Sequence, residues 1–260
     1  MKPILLEWDA LSLPSYVTFL SLGITFLLWL GPSTARREGM AAGRVAALLG
    51  LLFALGLAGA RGLFVLEHYP LMADPWSEAV SLAPGGLASH GAFLVAIPLG
   101  FVLARRFGLS PGAVADSCAV GVCLMGFLGR LGCFLAGCCY GRPTSLPWGV
   151  VFPETSEAAS RWGFGVPLHP TQLYEALVLV AIAVLLRATW PRRGFHGEAF
   201  LTLVLFYSSA RLLTDGFRGD SLDSIAGHGP AFWISLLLVA GSASGLWWVS
   251  SRLTARLARA

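Results

Sequence analysis

Charged residues are scarce in this 260-residue chain: Asp, Glu, Lys and Arg make up 12% of it, and hydrophobic residues 56%. A soluble domain carries about 25% charged residues, because its surface faces water. The mean hydropathy is correspondingly high, at +0.71. The apolar segments are spread along the chain, which excludes a signal peptide or a single anchor as their explanation. The composition therefore predicts a polytopic membrane protein.

The chain also lacks a Gly/Ser-rich linker, a low-complexity tract and an obvious internal repeat. These absences favour one membrane domain over residues 1–260. They also disfavour a transporter, since transporters built from inverted repeats carry a pair of interrupted spans in matching halves.

A helix that crosses a bilayer needs about 20 mostly apolar residues. We therefore predict an all-α membrane fold of about seven transmembrane helices, with re-entrant or irregular segments at the outer leaflet. Pro98 interrupts the third span, and Asp116 lies at the start of the fourth. The seven predicted spans cover residues 14–31, 45–66, 88–104, 112–129, 170–189, 198–216 and 230–250.

Arginine placement predicts the orientation. Because cytoplasmic loops collect Lys and Arg, the side with most of them should be cytoplasmic. This places the N-terminus outside and the C-terminus in the cytoplasm, and it assigns the net charge of +4 to lipid-surface anchoring rather than to nucleic-acid binding. Eleven of the 18 Lys and Arg residues lie on that side: Arg36, Arg37, Arg44, Arg105, Arg106, Arg187, Arg192, Arg193, Arg252, Arg256 and Arg259.

Several ionisable residues fall at membrane depth, where a charge costs at least about 2.5–3.5 kcal/mol and usually has a function. The predicted topology places all of them in the outer half. Arginine clusters suit phosphate, because a guanidinium group forms paired hydrogen bonds with phosphate oxygens. The alternative is that the arginines extend to the outer head groups without a catalytic role. The residues are Arg61, His90, Arg130, Glu175, Arg211 and Asp215.

His90 is the candidate for proton transfer, since its unperturbed pKa is about 6.5. It lies between Gly85-Gly86 and Gly91, and glycines allow a ligand to approach the backbone closely. The alternative is a packed structural histidine.

A Gly- and Pro-rich segment, residues 129–149, begins near the end of the fourth span. Non-helical backbone at membrane depth must be covered by protein or line a cavity. Arg130 and Arg142 bracket the segment, as in an anion-binding loop. Its cysteines Cys133, Cys138 and Cys139 leave three alternatives open: packing residues, a Cys133–Cys138 disulfide on an oxidising outer side, or a metal site. Their spacing, C-x4-C-C, does not match a usual zinc pattern.

Five segments in order resemble the prolipoprotein diacylglyceryl transferase family. LAGARGLFVL is similar to the Gly-Ala-Arg segment of that family, and GGLASHGAF to its Gly-Gly-(x)2–3-His-Gly-Gly element. GRLG fits the start of the family's signature loop, and HPTQLYE is a near copy of another of its motifs. YSSARLLTDGFR matches the family's Tyr-x3-Arg-x3-Glu-x2-Arg pattern, with Asp in place of Glu. The segments lie at residues 57–66, 85–93, 129–132, 169–175 and 207–218.

The resemblance implies an enzyme of the bacterial inner membrane with its active site toward the periplasmic leaflet. Such an enzyme transfers a diacylglyceryl group from phosphatidylglycerol to the lipobox cysteine of an exported prolipoprotein, forms a thioether and releases glycerol phosphate. Its implied partners are these two substrates and membrane lipids, without nucleic acid, metal or soluble cofactor. The implied catalytic residues are His90 as proton acceptor, with Arg130 and Arg211 on the phosphate. The implied substrate-binding residues are Arg61, Gly91, Gly132, Cys133, Cys138, Gly141, Arg142, His169, Gln172, Tyr174, Glu175, Tyr207, Asp215 and Arg218, with Asp215 orienting Arg211 or Arg218.

The chain departs from the family pattern in the signature loop, usually Gly-Arg-x-Gly-Asn-Phe-x-Asn-Gly-Glu. Here Cys133 and Ala136 stand at the two Asn positions, and Cys138 stands at the Glu. A cysteine supplies neither the donors of an amide nor the charge of a carboxylate. Two alternatives therefore stay open: a paralogue with a different acceptor or lipid donor, and a non-catalytic protein that binds or transports an anionic lipid.

Overall fold

The computed structural model describes residues 2–8, 11–69, 77, 89–219 and 228–257. In this part of the chain seven long helices lie on the seven apolar stretches that the sequence predicts. They are accompanied by the short helix α5 and by the 3-10 turn Trp190–Arg192. In chain order the helices are α1 (Ser15–Arg37), α2 (Ala42–His68), α3 (Ser89–Arg106), α4 (Pro111–Ala136), α5 (Glu157–Trp162), α6 (Thr171–Thr189), α7 (Glu198–Asp215) and α8 (Pro230–Leu257).

By length and composition, five segments of the described chain are long and apolar enough to cross a membrane. The protein is thus a mostly helical, multi-pass membrane protein. Helices α3 and α7 are not among the five; α3 ends on two arginines, and α7 contains three charged residues. The count of seven spans therefore stays a prediction. The five segments are Ser15–Arg37, Ala42–Leu66, Pro111–Ala136, Thr171–Arg192 and Ala231–Arg252.

Helix α4 extends past the predicted end of its span at residue 129, up to Ala136. Gly132 does not break this helix but allows a close helix contact, since a Cβ there would lie 3.0 Å from the Cα of Tyr16 in α1. The helix stops at Gly137, whose φ is +76°. Gly137 N and Cys138 N both donate to the carbonyl of Cys133, at 2.9 and 3.2 Å, as at many glycine-terminated helix ends. The irregular segment therefore begins at residue 137.

A two-stranded antiparallel hairpin precedes α1, which an all-α prediction does not include. Its strands are β1 (Ile4–Trp8) and β2 (Leu11–Pro14), paired from Trp8 with Leu11 to Ile4 with Pro14. The buried Ser15 links the hairpin to the helix, because its backbone N–H donates to the carbonyl of Pro3 at 2.8 Å. Strands this short leave too few residues for an alternating pattern to be recognised in the sequence.

The chain divides into two compact units, one formed by residues 1–30 and 115–260 and the other by residues 31–114. In the second unit α2 and α3 pack closely where glycines meet: a Cβ added to Gly91 would lie 2.2 Å from the carbonyl oxygen of Gly59. In the first unit α4, α6 and α7 share an apolar core that includes Cys123, Ile182 and Leu203. The single membrane domain over residues 1–260 stays a prediction.

Candidate active site

A buried carboxylate, Glu175, organises the larger of two charged clusters in the first unit. It lies in the first turns of α6, and its side chain is 1% exposed. Its Oε2 lies 2.5 Å from Nη2 of Arg130 in α4 and accepts a 3.0 Å hydrogen bond from the Tyr207 hydroxyl in α7. Its Oε1 lies 3.4 Å from Nη1 of Arg218. Three segments far apart in sequence therefore meet at one carboxylate.

Tyr207 also accepts a hydrogen bond from Nη2 of Arg130, at 3.1 Å, so the cluster is closed on itself. A buried charge is tolerated only when it is paired and hydrogen-bonded. Glu175 has a partner on each oxygen, which fixes the directions of both guanidinium groups. The cluster thus holds Arg130 and Arg218 in place before any ligand arrives.

Asp215 organises the second cluster, at the C-terminal end of α7. It is buried, and its Oδ1 lies 3.4 Å from Nη1 of Arg211, one helical turn earlier. Its Oδ2 lies 3.1 Å from Nδ1 of His228. Of the two partners that the sequence offers for Asp215, the structure pairs it with Arg211, while Arg218 contacts Glu175.

The segment after α4 is joined by its backbone to the chain before α6 and after α7. Gly141 N donates to the His169 carbonyl at 3.0 Å, and Arg142 N donates to the Phe217 carbonyl at 2.8 Å. Arg142 Nε adds a 3.0 Å bond to the carbonyl of Arg218. A Cβ at Gly141 would lie 2.5 Å from the Cβ of His169, so no side chain fits there. Gly141 therefore has a clear packing role, and its predicted role in substrate binding stays a prediction, as does that of Gly132.

The HPTQLYE segment supplies a second set of contacts through aromatic polar groups. The Tyr174 hydroxyl lies 3.1 Å from Nδ1 of His169 and accepts a 2.8 Å hydrogen bond from Nε1 of Trp148. The exposed Trp148 comes from the loop after α4. Tyr174 thus joins that loop to the start of α6.

The three cysteines of the loop lie together beside the Glu175 cluster. The Sγ atoms of Cys133, Cys138 and Cys139 lie within 4.8 Å of one another, and all three are free thiols. Two buried side chains of α6 bind the loop through its carbonyls: Thr171 Oγ1 donates to Cys139 O at 2.8 Å, and Gln172 Nε2 donates to Cys138 O at 2.7 Å. The proximity of the three sulfur atoms makes the metal alternative geometrically possible.

Cys139 has an unusual backbone and an unusual electrostatic setting. Its φ of +59° makes it the one non-glycine residue with positive φ in the described chain, a conformation that such residues adopt uncommonly. Hydrogen bonds from the thiols of Cys133 and Cys138, together with the charges of Arg130 and Arg218, hold the pKa of the Cys139 thiol below its ordinary value. Cys139 therefore forms a thiolate more readily than an ordinary cysteine.

Three predicted site residues, Arg61, His90 and Gly91, belong to the second unit. The guanidinium of Arg61 lies 5.6 Å from the centroid of the Phe64 ring in the same helix. Gly91 packs against Gly59, as described above. His90 lies in the first turn of α3, and its side chain is outside the part of the chain that the structure describes.

Three residues near the charged clusters are absent from the sequence prediction. His228 and Trp148 lie outside the recognised motifs, and each finds its partner through the fold. Tyr16 in α1 lies within electrostatic range of Arg130 and of all three cysteines. In the sequence, Tyr16 is marked only by its position at the start of the first predicted span. That position is not enough to predict a role in the site.

The sequence profile of the prolipoprotein diacylglyceryl transferase family matches residues 3–248, nearly the whole chain. The chain belongs to this family. The match covers both charged clusters, the cysteine loop and the HPTQLYE segment, so the geometry above is that of a family member with a cysteine-substituted loop.

Individual relatives agree with this assignment. The chain is 27% identical to the phosphatidylglycerol–prolipoprotein diacylglyceryl transferase of Clostridium tetani, over 92% of this chain and 94% of the relative. It is 35% identical to the enzyme of that name from Gloeobacter violaceus, over 74% and 72% of the two chains. A similarly named protein of Streptomyces griseus is 30% identical over 90% of this chain and 71% of the relative. The family and these relatives are transferases by name.

Proposed function

We propose that this protein transfers a diacylglyceryl group from phosphatidylglycerol to the lipobox cysteine of exported prolipoproteins, forming a thioether. The observation that carries the proposal is the closed cluster in which Glu175 holds Arg130 and Arg218. The names of the relatives contain both substrates. The arginines of the cluster can bind the phosphate of phosphatidylglycerol.

The charge balance of the two clusters suits a phosphodiester. Three arginines share two carboxylates, so the two clusters contain more guanidinium groups than carboxylates. Arg211 lies one helical turn from Tyr207, the residue that contacts Arg130, so the two clusters adjoin along α7. Pre-positioned donors of this kind stabilise charge that develops on a leaving phosphate. The three arginines are Arg130, Arg211 and Arg218, and the two carboxylates are Glu175 and Asp215.

We assign the roles accordingly. Arg130 and Arg211 bind the phosphate, Arg218 is held beside them by Glu175, and His90 accepts the proton of the acceptor thiol. The other predicted binding residues keep their assignment to substrate binding. They are Arg61, Gly91, Gly132, Cys133, Cys138, Gly141, Arg142, His169, Gln172, Tyr174, Tyr207 and Asp215.

We also propose that the chain crosses the bacterial inner membrane seven times, with the N-terminus outside, the C-terminus in the cytoplasm and the site toward the periplasm. Asp116 at the start of α4 accepts backbone hydrogen bonds from Gly197 and Phe200 at the start of α7, at 2.8 and 3.0 Å. Those helix ends adjoin Arg193, and the charged clusters lie at the opposite end of α4 and α7. Since arginines mark the cytoplasmic side, the clusters fall on the outer side.

The cysteine loop is a specific observation in favour of a second candidate, a transferase with another acceptor or lipid donor. Cys133 and Cys138 stand where the family pattern has an amide and a carboxylate. Neither residue touches the Glu175 carboxylate, so the phosphate side is the same under both candidates.

One assay separates the candidates. Purified protein is incubated with labelled phosphatidylglycerol and a lipobox peptide, with a Cys→Ser peptide as control. We expect a thioether product with the cysteine peptide alone. Binding of lipid without product would favour a non-catalytic lipid-binding protein, and product on a different nucleophile or from a different lipid would select the second candidate.

Two substitutions test the arginine assignment in the same assay. Arg130→Ala and Arg211→Ala should each lower turnover at least about 100-fold, since one removed oxyanion donor costs about 10²–10³. Arg187→Ala, an exposed arginine near the far end of α6, is the matched control and should keep the rate. Normal rates in both test variants would refute the phosphate-binding role.

A further inference from the structure

The three cysteines form the part of the site that the family pattern does not account for. Their Sγ atoms lie within 4.8 Å of one another. Thiolates around a tetrahedral zinc ion, at Zn–S distances of about 2.3 Å, lie about 3.8 Å apart. The difference is about 1 Å at most, within the range of side-chain rotation. Thr171 and Gln172 meanwhile hold the backbone of the loop through the carbonyls of Cys139 and Cys138.

We propose that Cys133, Cys138 and Cys139 bind a zinc ion and that the fourth position of this ion receives the acceptor thiol, an inference that rests on the proposed function. Catalytic zinc sites keep three protein ligands and leave the fourth position to water or substrate. Within the described residues, the ligand group consists of these three cysteines, without a fourth Cys, His, Asp or Glu. Thiolate ligands favour soft or borderline ions such as zinc.

The surroundings suit the charge of such a site. A zinc ion with three thiolates carries a charge of −1, and a bound acceptor thiolate makes it −2. Arg130 and Arg218 both act electrostatically on Cys139 and offset this charge. The same two arginines contact the Glu175 carboxylate, and one of them, Arg130, is also assigned to the phosphate. The cysteine cluster and the proposed phosphate site therefore share Arg130.

This arrangement supplies a direct route for the transfer. The acceptor thiol loses its proton when its sulfur binds zinc, since a coordinated thiol is deprotonated. His90 accepts this proton, as assigned above. The sulfur then attacks the glyceryl carbon that carries the phosphate. A C–S bond forms, the C–O bond breaks, and its electron pair leaves with the phosphate oxygen. The products are a neutral thioether, which is a weak ligand and dissociates, and glycerol phosphate beside the arginines.

A zinc site also explains why several cysteines occur together in this segment. In the resembling family the positions of Cys133 and Cys138 are polar, and a base is expected to remove the thiol proton. In this chain three cysteines take the place of those polar residues, and the zinc ion that they bind activates the acceptor thiol by binding its sulfur. This differs from the expectation of a metal-free site that the resemblance implies.

Metal content provides the first test. Full-length protein is purified without chelator or added metal, and zinc is measured by elemental mass spectrometry. We expect about one zinc ion per chain in the wild type, since the three cysteines form one site. Cys138→Ala should lose it, whereas Cys118→Ala should retain it, since Cys118 is a buried cysteine of α4 outside the cluster. Zinc well below stoichiometry, copper in its place, or a disulfide among the three cysteines would overturn the proposal.

A second test uses the wild-type protein and measures whether the acceptor thiol binds to the fourth position of the metal. Wild-type protein is stripped of metal and loaded with Co²⁺, whose visible bands report tetrahedral thiolate coordination. Adding a lipobox peptide should change these bands, and a Cys→Ser peptide should leave them unchanged. The same response to both peptides, or to neither, would refute binding of the acceptor thiol to the metal.

The transfer assay on these preparations separates the two proposals. An unchanged transfer rate in zinc-free protein would refute the metal site and leave the proposed function intact. Stoichiometric zinc and a cysteine-specific spectral response without thioether product would refute the proposed function and leave the thiol-binding metal site.

Discussion

Replacing Glu175 by glutamine should destabilise the protein more than any other single carboxylate-to-amide change in the described site. The substitution keeps the size of the side chain but removes its charge and places an NH2 group toward one of the guanidinium groups. Glu175 is 1% exposed and contacts Arg130, Arg218 and Tyr207. Two buried arginines would thus lose their shared counter-charge.

The expected magnitude follows from these contacts. Removing one partner of a buried ion pair costs about 3–5 kcal/mol, since the remaining charge stays buried without compensation. Glutamine retains one oxygen acceptor, so we take the lower end of the range, about 3 kcal/mol. For a chain of this size that corresponds to a fall in the melting temperature of about 6–12 °C.

Thermal unfolding of detergent-solubilised protein measures this change. Glu154→Gln is the matched control, because Glu154 is exposed in the loop before α5 and should shift the melting temperature by no more than about 2 °C. If unpaired arginine is the cause, adding Arg130→Met to Glu175→Gln should recover at least about 1 kcal/mol. A melting temperature for Glu175→Gln equal to that of the control would refute the cluster as a stabilising unit.

Three further predictions concern packing, the loop contact and the cysteines. Gly91→Ala should lower the melting temperature clearly, because its Cβ would lie 2.2 Å from a backbone oxygen, whereas Gly62→Ala, with open space around it, should not. Tyr174→Phe should lower the free energy of unfolding by about 0.5–1.5 kcal/mol, because the hydrogen bonds of its hydroxyl with Trp148 and His169 are lost. Tyr69→Phe, on an exposed tyrosine, serves as its control in thermal unfolding. In metal-free protein, Cys139 should stay reactive toward iodoacetamide as the pH falls below the ordinary cysteine pKa of about 8.5, because its lowered pKa keeps the thiolate populated; loss of this low-pH labelling in wild type, read by mass spectrometry, would contradict the lowered pKa.

The helices could be predicted from the sequence because length and hydropathy determine which segments can cross a bilayer. The ends of the helices were harder to predict. Gly129 and Gly132 read as helix breakers in a Gly-rich segment, but in the structure they lie within α4, where the absence of a side chain allows α1 to approach. Whether a glycine breaks or packs a helix depends on its neighbour in space, and the sequence does not contain that neighbour.

In the candidate site, too, the sequence predicted individual residues but not their contacts. The motifs supplied Arg130, Glu175 and Arg218 individually, yet their meeting at one carboxylate depends on how α4, α6 and the end of α7 pack. His228 lies outside the recognised motifs. Its contact with Asp215 at the end of α7 exists only in the folded chain, so the sequence could not predict it. The spacing of the cysteines likewise left packing, a disulfide and a metal open, and the fold adds that the three sulfur atoms lie close to one another.

The bonds that fix the cysteine loop go to main-chain atoms. Thr171 and Gln172 bind the carbonyls of Cys139 and Cys138, and neither depends on which side chain those residues carry. The loop can therefore exchange a side chain, as from carboxylate to thiol at Cys138, while its path stays the same. In such a scaffold the chemistry offered to the acceptor can evolve independently of the arginine cluster that faces the lipid phosphate.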